Sequence, residues 1–149
     1  MHPDQPKAKA KANMKKATPL ITVEAIEPCL PFWTDGLDFE LVATVPHEDS
    51  IGFAMLQRGG VELMYQSHAS IAADLSASGA PATLAATMTD GTAALFIEVD
   101  SLDDVLAALT EAELLVPRRQ TFYGMDEVFV RAPCGTVIGF AAKLPEAVE

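Results

Sequence analysis

Apolar and polar positions along this chain fall into two similar series. From Leu20, L-I-T-V-E-A-I-E-P-C-L-P-F-W alternates and then shifts to helical spacing, and F-I-E-V-D-S-L-D-D-V-L-A-A-L from Phe96 does the same. A shift of 76 places Ile21, Val23, Ile26, Leu30 and Trp33 on Ile97, Val99, Leu102, Leu106 and Leu109. With one more residue of shift, I-G-F-A-M-L-Q-R-G-G-V-E-L-M from Ile51 falls on V-F-V-R-A-P-C-G-T-V-I-G-F-A from Val128. Period-two alternation reads as a half-buried strand and i, i+3, i+7 spacing as a helix. A duplicated unit of this size predicts two modules, with a binding surface where they meet.

In the first half the pattern predicts a strand over 21–26. A helix follows with Pro28 in its first turn and Leu30, Trp33 and Leu37 on one face. Next come a strand over 39–45, a loop over 46–50, and a hairpin of strands 51–57 and 61–66 turning through Arg58-Gly59-Gly60. The Ala, Ser, Thr and Gly-rich stretch 69–92 reads as a linker with one helical turn near 71–75. In the second half a strand over 94–99 leads to a helix. Ser101 caps that helix, Asp103 and Asp104 sit in its first turn, and Leu102, Val105, Leu106 and Leu109 form its apolar stripe. Strands over 114–116, 127–131 and 137–142 complete it, the last turn being Pro133-Cys134-Gly135. The predicted fold is α+β, two tandem βαβββ modules forming a curved mixed sheet around a concave site. The boundaries are a disordered tail 1–17, modules 18–68 and 93–144, and the linker 69–92 between them.

At 149 residues, half of them hydrophobic, the chain suffices for one domain with its own core. No apolar run reaches the roughly 18 residues of a membrane helix, and the first residues lack the apolar stretch of a signal peptide, which predicts a cytoplasmic protein. Met14 is a second possible start. Residues 1–17 carry five lysines against Asp4, a net +4, so with −11 overall the remaining 132 residues carry −15. Such an acidic body argues against nucleic acid or an anionic membrane as partner and permits a cationic ligand. Cys29 and Cys134 lack CxxC or Cys/His company and read as reduced structural residues.

Two segments carry a resemblance. L-P-F-W-T-D-G-L-D-F from Leu30 and Y-G-M-D-E-V-F-V-R-A-P-C-G from Tyr123, on a repeated βαβββ unit, resemble the vicinal oxygen chelate superfamily of glyoxalase I, bleomycin-resistance proteins and extradiol dioxygenases, over residues 18–142. Metal enzymes of that family take one ligand from the first and one from the last strand of each module. Carried over, those places are Thr18, Glu62, Ala94 and Gly139, of which only Glu62 ligates strongly. The resemblance therefore implies no metal and no cofactor, a bleomycin-resistance-like binder of a small molecule, and a homodimer. Whether the modules pair within one chain or swap between chains stays open.

Strand alternation then selects the cavity residues. With Glu62 facing the concave side, Met64, Gln66 and His68 follow it. Thr22 and Glu24 share that side, as do Phe96, Glu98, Phe129 and Arg131 in the second module, with Tyr123 and Met125 on the entering loop. The predicted ligand set is Glu24, Glu62, Met64, Gln66, His68, Phe96, Glu98, Tyr123, Phe129 and Arg131. Three carboxylates around one arginine suit a cationic or amine-bearing organic molecule. The alternatives are a glyoxalase-like lyase or isomerase, or a hydrolase, with Glu62 as a base whose pKa is raised by Glu98 and apolar neighbours, with or without a metal completed by His68 or Glu98, and a partner-binding subunit without chemistry.

Overall fold

The computed structural model describes residues 16–90 and 94–145, so the tail through residue 15, the end of the linker and the side chain of Cys134 lie outside the described residues. Two four-stranded open sheets carry the repeat. The first has β1 (Leu20–Val23), β2 (Glu40–His47), β3 (Ser50–Arg58) and β4 (Val61–Ser67) in the order β1-β4-β3-β2. The second has β5 (Ala94–Glu98), β6 (Glu113–Gln120), β7 (Met125–Arg131) and β8 (Val137–Lys143) in the order β5-β8-β7-β6. In each, the first strand runs parallel to the last and the other pairs are antiparallel. The identical order is the duplication expressed in three dimensions.

Each first strand must cross over to pair in parallel with its module's last strand, and a helix fills that crossover. In the second module it is α3 (Leu102–Ala108), where Ser101 Oγ accepts from the amide of Asp104. In the first module the expected helix is composite. A tight turn over Glu27–Cys29 runs into a wide π turn over Phe32–Gly36. Pro28 is tolerated in the first turn, but Pro31 lacks the amide that a regular α-helix would bond to the Glu27 carbonyl, and Thr34 Oγ1 donates to the Leu30 carbonyl at 3.1 Å. Trp33 is fully buried at the centre of this turn. Its Nε1 donates to Tyr65 Oη of β4 at 2.8 Å, and its ring meets Phe32 and Phe39 edge-on at 5.1 and 4.9 Å.

Both helical elements pack on one shared core. Trp33, Leu56, Leu63 and Tyr65 join Leu102, Val105, Val128, Val130, Ile138 and Phe140 in it. At Gly36 the two helices approach so closely that a Cβ would lie 3.1 Å from Leu109 Cδ2. Because the helix-facing sides of both sheets are spent on this core, the opposite, concave faces point outward. Tyr65→Phe keeps the ring and leaves the buried Trp33 Nε1 without this acceptor, so a loss of about 1–3 kcal/mol is expected in a urea titration.

The stretch 69–92 holds more structure than its composition suggested. It forms α1 (His68–Ala77) and α2 (Ala82–Thr89). Ser67 Oγ caps α1 by accepting from Ser70 N, and Pro81 precedes α2 with an extended ψ. Alanine-rich segments have high helix propensity even without a strong apolar stripe, and here Ile71 alone among α1 residues is buried. His68 consequently opens a helix rather than continuing β4. Strand β6 is also longer than expected, since Pro117 is tolerated on a sheet edge, next to a register shift between Val116 and Arg119.

Candidate functional site

On the first module, register places Leu20 beside Met64, Thr22 beside Gln66, Met55 beside Met64 and Gln57 beside Glu62. Glu62, Met64 and Gln66 thus share the outward concave face. The Glu62 side chain is 16% exposed; Lys16 Nζ lies 2.7 Å and Thr18 Oγ1 3.0 Å from the same oxygen, Oε1. The Lys16 hydrogen bond first, and the Thr18 hydroxyl second, hold its pKa below the ordinary glutamate value. This corrects the expectation of a raised, base-like Glu62: its nearest charged neighbour is Lys16 rather than Glu98. A carboxylate with a depressed pKa stabilises the fold above its unfolded pKa and loses that contribution as pH falls through its folded value. Glu62 is therefore expected to titrate below the ordinary glutamate range by carboxyl NMR and to move up toward it in Lys16→Ala.

The other expected charges do not converge on Glu62 within one chain. Glu24 lies just past the end of β1, its Oε2 3.2 Å from His68 Nδ1, and both line a cleft of about 610 Å³ with Thr22, Met88 and Leu95. Thr22 Oγ1 donates to the Met88 carbonyl, which ties α2 to β1. Gln66 Nε2 donates to Ser70 Oγ. Glu98 has Lys143 Nζ at 4.0 Å, and Arg131 pairs with Glu113 at 3.3 Å rather than with Glu62.

On the second module the concave face is aromatic and holds a buried acid. Phe96 and Phe129 lie with ring centroids 6.3 Å apart, and Phe96 is 54% exposed. Two residues along from Phe129, Glu127 is fully buried. Arg119 Nη2 and Nε reach Glu127 Oε1 at 2.9 and 3.1 Å. Tyr123 Oη lies 2.9 and 2.8 Å from its two oxygens. The hydrogen bond to Glu127 is the main cause that raises the Tyr123 pKa, and Glu127 likewise raises that of Arg119. Gly124, at φ 85°, supplies the left-handed turn that folds Tyr123 back over the strand.

Sequence reasoning placed Tyr123, Phe129 and Arg131 here but passed over Glu127 and Arg119. The signal was present for Glu127, which shares the parity of Phe129 and Arg131 along β7. Arg119 was hidden because its strand appeared to end before Pro117. On the opposite side of β7, Asp126 accepts from Arg118, which also reaches Asp103 at 2.6 Å and so fastens the start of α3 to the sheet.

Residues 17–140 match the model of the Glyoxalase/Bleomycin resistance protein/Dioxygenase superfamily. The chain belongs to this superfamily. No curated protein matches the chain in sequence. Among solved structures it is similar to a lactoylglutathione lyase from Agrobacterium tumefaciens, at 14% identity and a TM-score of 0.64, covering 88% of this chain and 95% of that one. It is also similar to the bleomycin-binding protein of Streptomyces verticillus crystallised with copper(II)-bleomycin, at 21% identity and TM-score 0.57, covering 91% and 99%. An antibiotic-binding protein from a Streptomyces strain matches at 19% and 0.60, covering 89% and 99%. At these identities the likeness is one of fold.

The metal-ligand places of the glyoxalase superfamily can now be tested for fit. In the first module Thr18 and Glu62 do meet, but Lys16 occupies the same oxygen. In the second module Ala94 pairs with Val137, so the residue across from Gly139 is Phe96. A Cβ on Gly139 would lie 2.6 Å from Phe129 Cε2 and 2.8 Å from Cζ, so an aromatic ring fills the space a ligating side chain needs. Among the described residues no three His, Cys, Asp or Glu side chains cluster as a metal site. The residues present do not fit the superfamily's metal. Among the described residues no helix is long and apolar enough to cross a membrane.

Proposed function

We propose that this chain is a metal-independent small-molecule-binding protein of the bleomycin-resistance-like kind, holding an organic, amine-bearing aromatic ligand against its concave faces. The observation that carries this reading is the second module's face. Phe96, Phe129 and Tyr123 offer stacking surface around the buried Glu127, while Phe129 stands where a metal ligand would. The antibiotic- and bleomycin-binding neighbours lend support at the level of fold. A cationic group entering on the first module's side meets Glu62 and must compete there with Lys16.

A single chain leaves these faces open, with Leu20, Val45, Phe96 and Tyr123 at 36, 54, 54 and 51% exposure. A homodimer that lays one module's concave face against its partner's would cover them and enclose the ligand, and light scattering should give twice the chain mass. The expected compartment is the cytoplasm. The enzymatic alternative, a lyase or isomerase with Glu62 as base, has less support, because Lys16 and Thr18 lower the Glu62 pKa when a general base near neutral pH needs it raised.

The test is a thermal-shift series with amine-bearing aromatic compounds, a metal-free glycopeptide among them, beside elemental analysis of protein purified without chelator. A ligand at about 100 times its Kd adds roughly 2.7 kcal/mol, or roughly 5–10 °C in Tm for a chain of this size. Phe96→Ala should remove most of that shift. No shift with any compound, together with near one Zn, Ni, Mn or Fe per chain, would overturn the reading.

A further inference from the structure

Beside Phe129 on the second module's face, the charge that a ligand can touch is a guanidinium rather than a carboxylate. Glu127 is fully buried, with Tyr123 Oη 2.9 and 2.8 Å from its two oxygens and Arg119 on Oε1. Arg119 stands directly opposite it in register on β6 and is 54% exposed. Only one edge of its guanidinium is engaged: Nε and Nη2 both donate to Glu127 Oε1, and no hydrogen bond joins Nη1 to a described residue. The end of the fork is therefore open. The other charges of this face come in opposite pairs, Arg131 with Glu113 and Lys143 with Glu98, so the face lacks the acid excess of a chain whose net charge is −11. Along the strand, Glu127 is two residues from Phe129, a rise of about 7 Å. A carboxylate borne on an aromatic ring that lies against Phe129 and Phe96 spans that distance to the guanidinium.

We infer that Arg119 determines specificity at this site by gripping a carboxylate of the bound molecule, so that the ligand carries an acid as well as an amine. The inference rests on the amine-ligand reading and gives that ligand a polarity, its amine drawn to Glu62 on the first module's face and its acid to Arg119 on the second. A planar fork matches a carboxylate with two parallel hydrogen bonds, which a point charge does not. Glu127 and Tyr123 hold the guanidinium by its inner edge, so little side-chain freedom remains to be lost on binding. The buried acid thus serves to aim the arginine, and the arginine meets the guest.

Two probes that differ at one group test this on the full chain: para-aminomethylbenzoate and its primary amide, para-aminomethylbenzamide. In NMR titrations the acid should bind wild type roughly tenfold more tightly than the amide, the effect of one charge-assisted contact. Arg119→Gln should bring the two probes within about twofold of each other, and Arg119→Lys, which keeps the charge without the fork, should cut the preference by about threefold. Phe96→Ala should weaken both probes alike. Equal binding of acid and amide by wild type, a preference that survives Arg119→Gln undiminished, or binding of neither probe overturns the inference. Melting curves accompany each variant because Arg119→Gln removes a partner of a buried acid; if that variant unfolds, Arg119→Lys decides, and an undiminished preference there overturns the inference as well. Binding of the amide as tightly as the acid leaves the amine-ligand reading standing, which falls only when the whole series of amine-bearing compounds gives no thermal shift.

Discussion

Trp33→Ala is expected to cost about 3–5 kcal/mol, the range for deleting a fully buried large aromatic side chain. The indole is 0% exposed, edge-packed on Phe32 and Phe39, and hydrogen-bonded to Tyr65. Its removal leaves both a void and a buried hydroxyl short of a donor. For a chain of this size the melting temperature should fall by roughly 10 °C, measured by calorimetry. The same loss should loosen β4, because Tyr65 sits between Met64 and Gln66 on the opposite face, so faster amide exchange over Val61–Ser67 is the accompanying sign. A drop under about 1 kcal/mol would mean that the composite helix is not anchored through this ring.

Glu127→Ala should cost about 2–3 kcal/mol in stability, since a fully buried side chain and the acceptor of two partners vanish together. The turn at Thr121–Gly124 should lose its anchor, seen as faster amide exchange there and as a fall of the Tyr123 pKa toward 10, because the hydrogen bond to Glu127 is the main cause of its rise. Glu127→Gln preserves the shape and should cost less while still altering the Tyr123 titration. If Glu127→Ala leaves both stability and the Tyr123 titration unchanged, the acid does not organise this face.

The repeat was readable because apolar spacing reports which side of each strand is buried, and that is a local property. Ile21, Val23, Leu63 and Tyr65 fell on the helix side by parity, and Ser101 declared its cap through residue type. What escaped were pairings between distant positions. Nothing in periodicity ties Lys16 to Glu62 or Arg131 to Glu113, since a long charged side chain chooses among several neighbours only once the fold is set. Parity was carried one residue too far at His68, where Ser67 already starts a helix. Three acids grouped by alternation alone were likewise expected to share one cavity; the end of β1, the start of β4 and the end of β5 instead give Glu24, Glu62 and Glu98 different partners.

The Phe129 ring over Gly139 also bears on how a chain of this kind could change chemistry. A carboxylate introduced at position 139 has no room until the ring leaves, and shrinking Phe129 alone opens an unfilled gap and strips the aromatic floor. Each single step is thus unfavourable, and a useful ligand appears only when both have happened. On the proposed reading, descendants of this sequence are therefore more readily steered toward new guests through Tyr123 and Phe96, whose exposed edges can vary one at a time, than across the two-step valley that would put a ligating side chain at position 139.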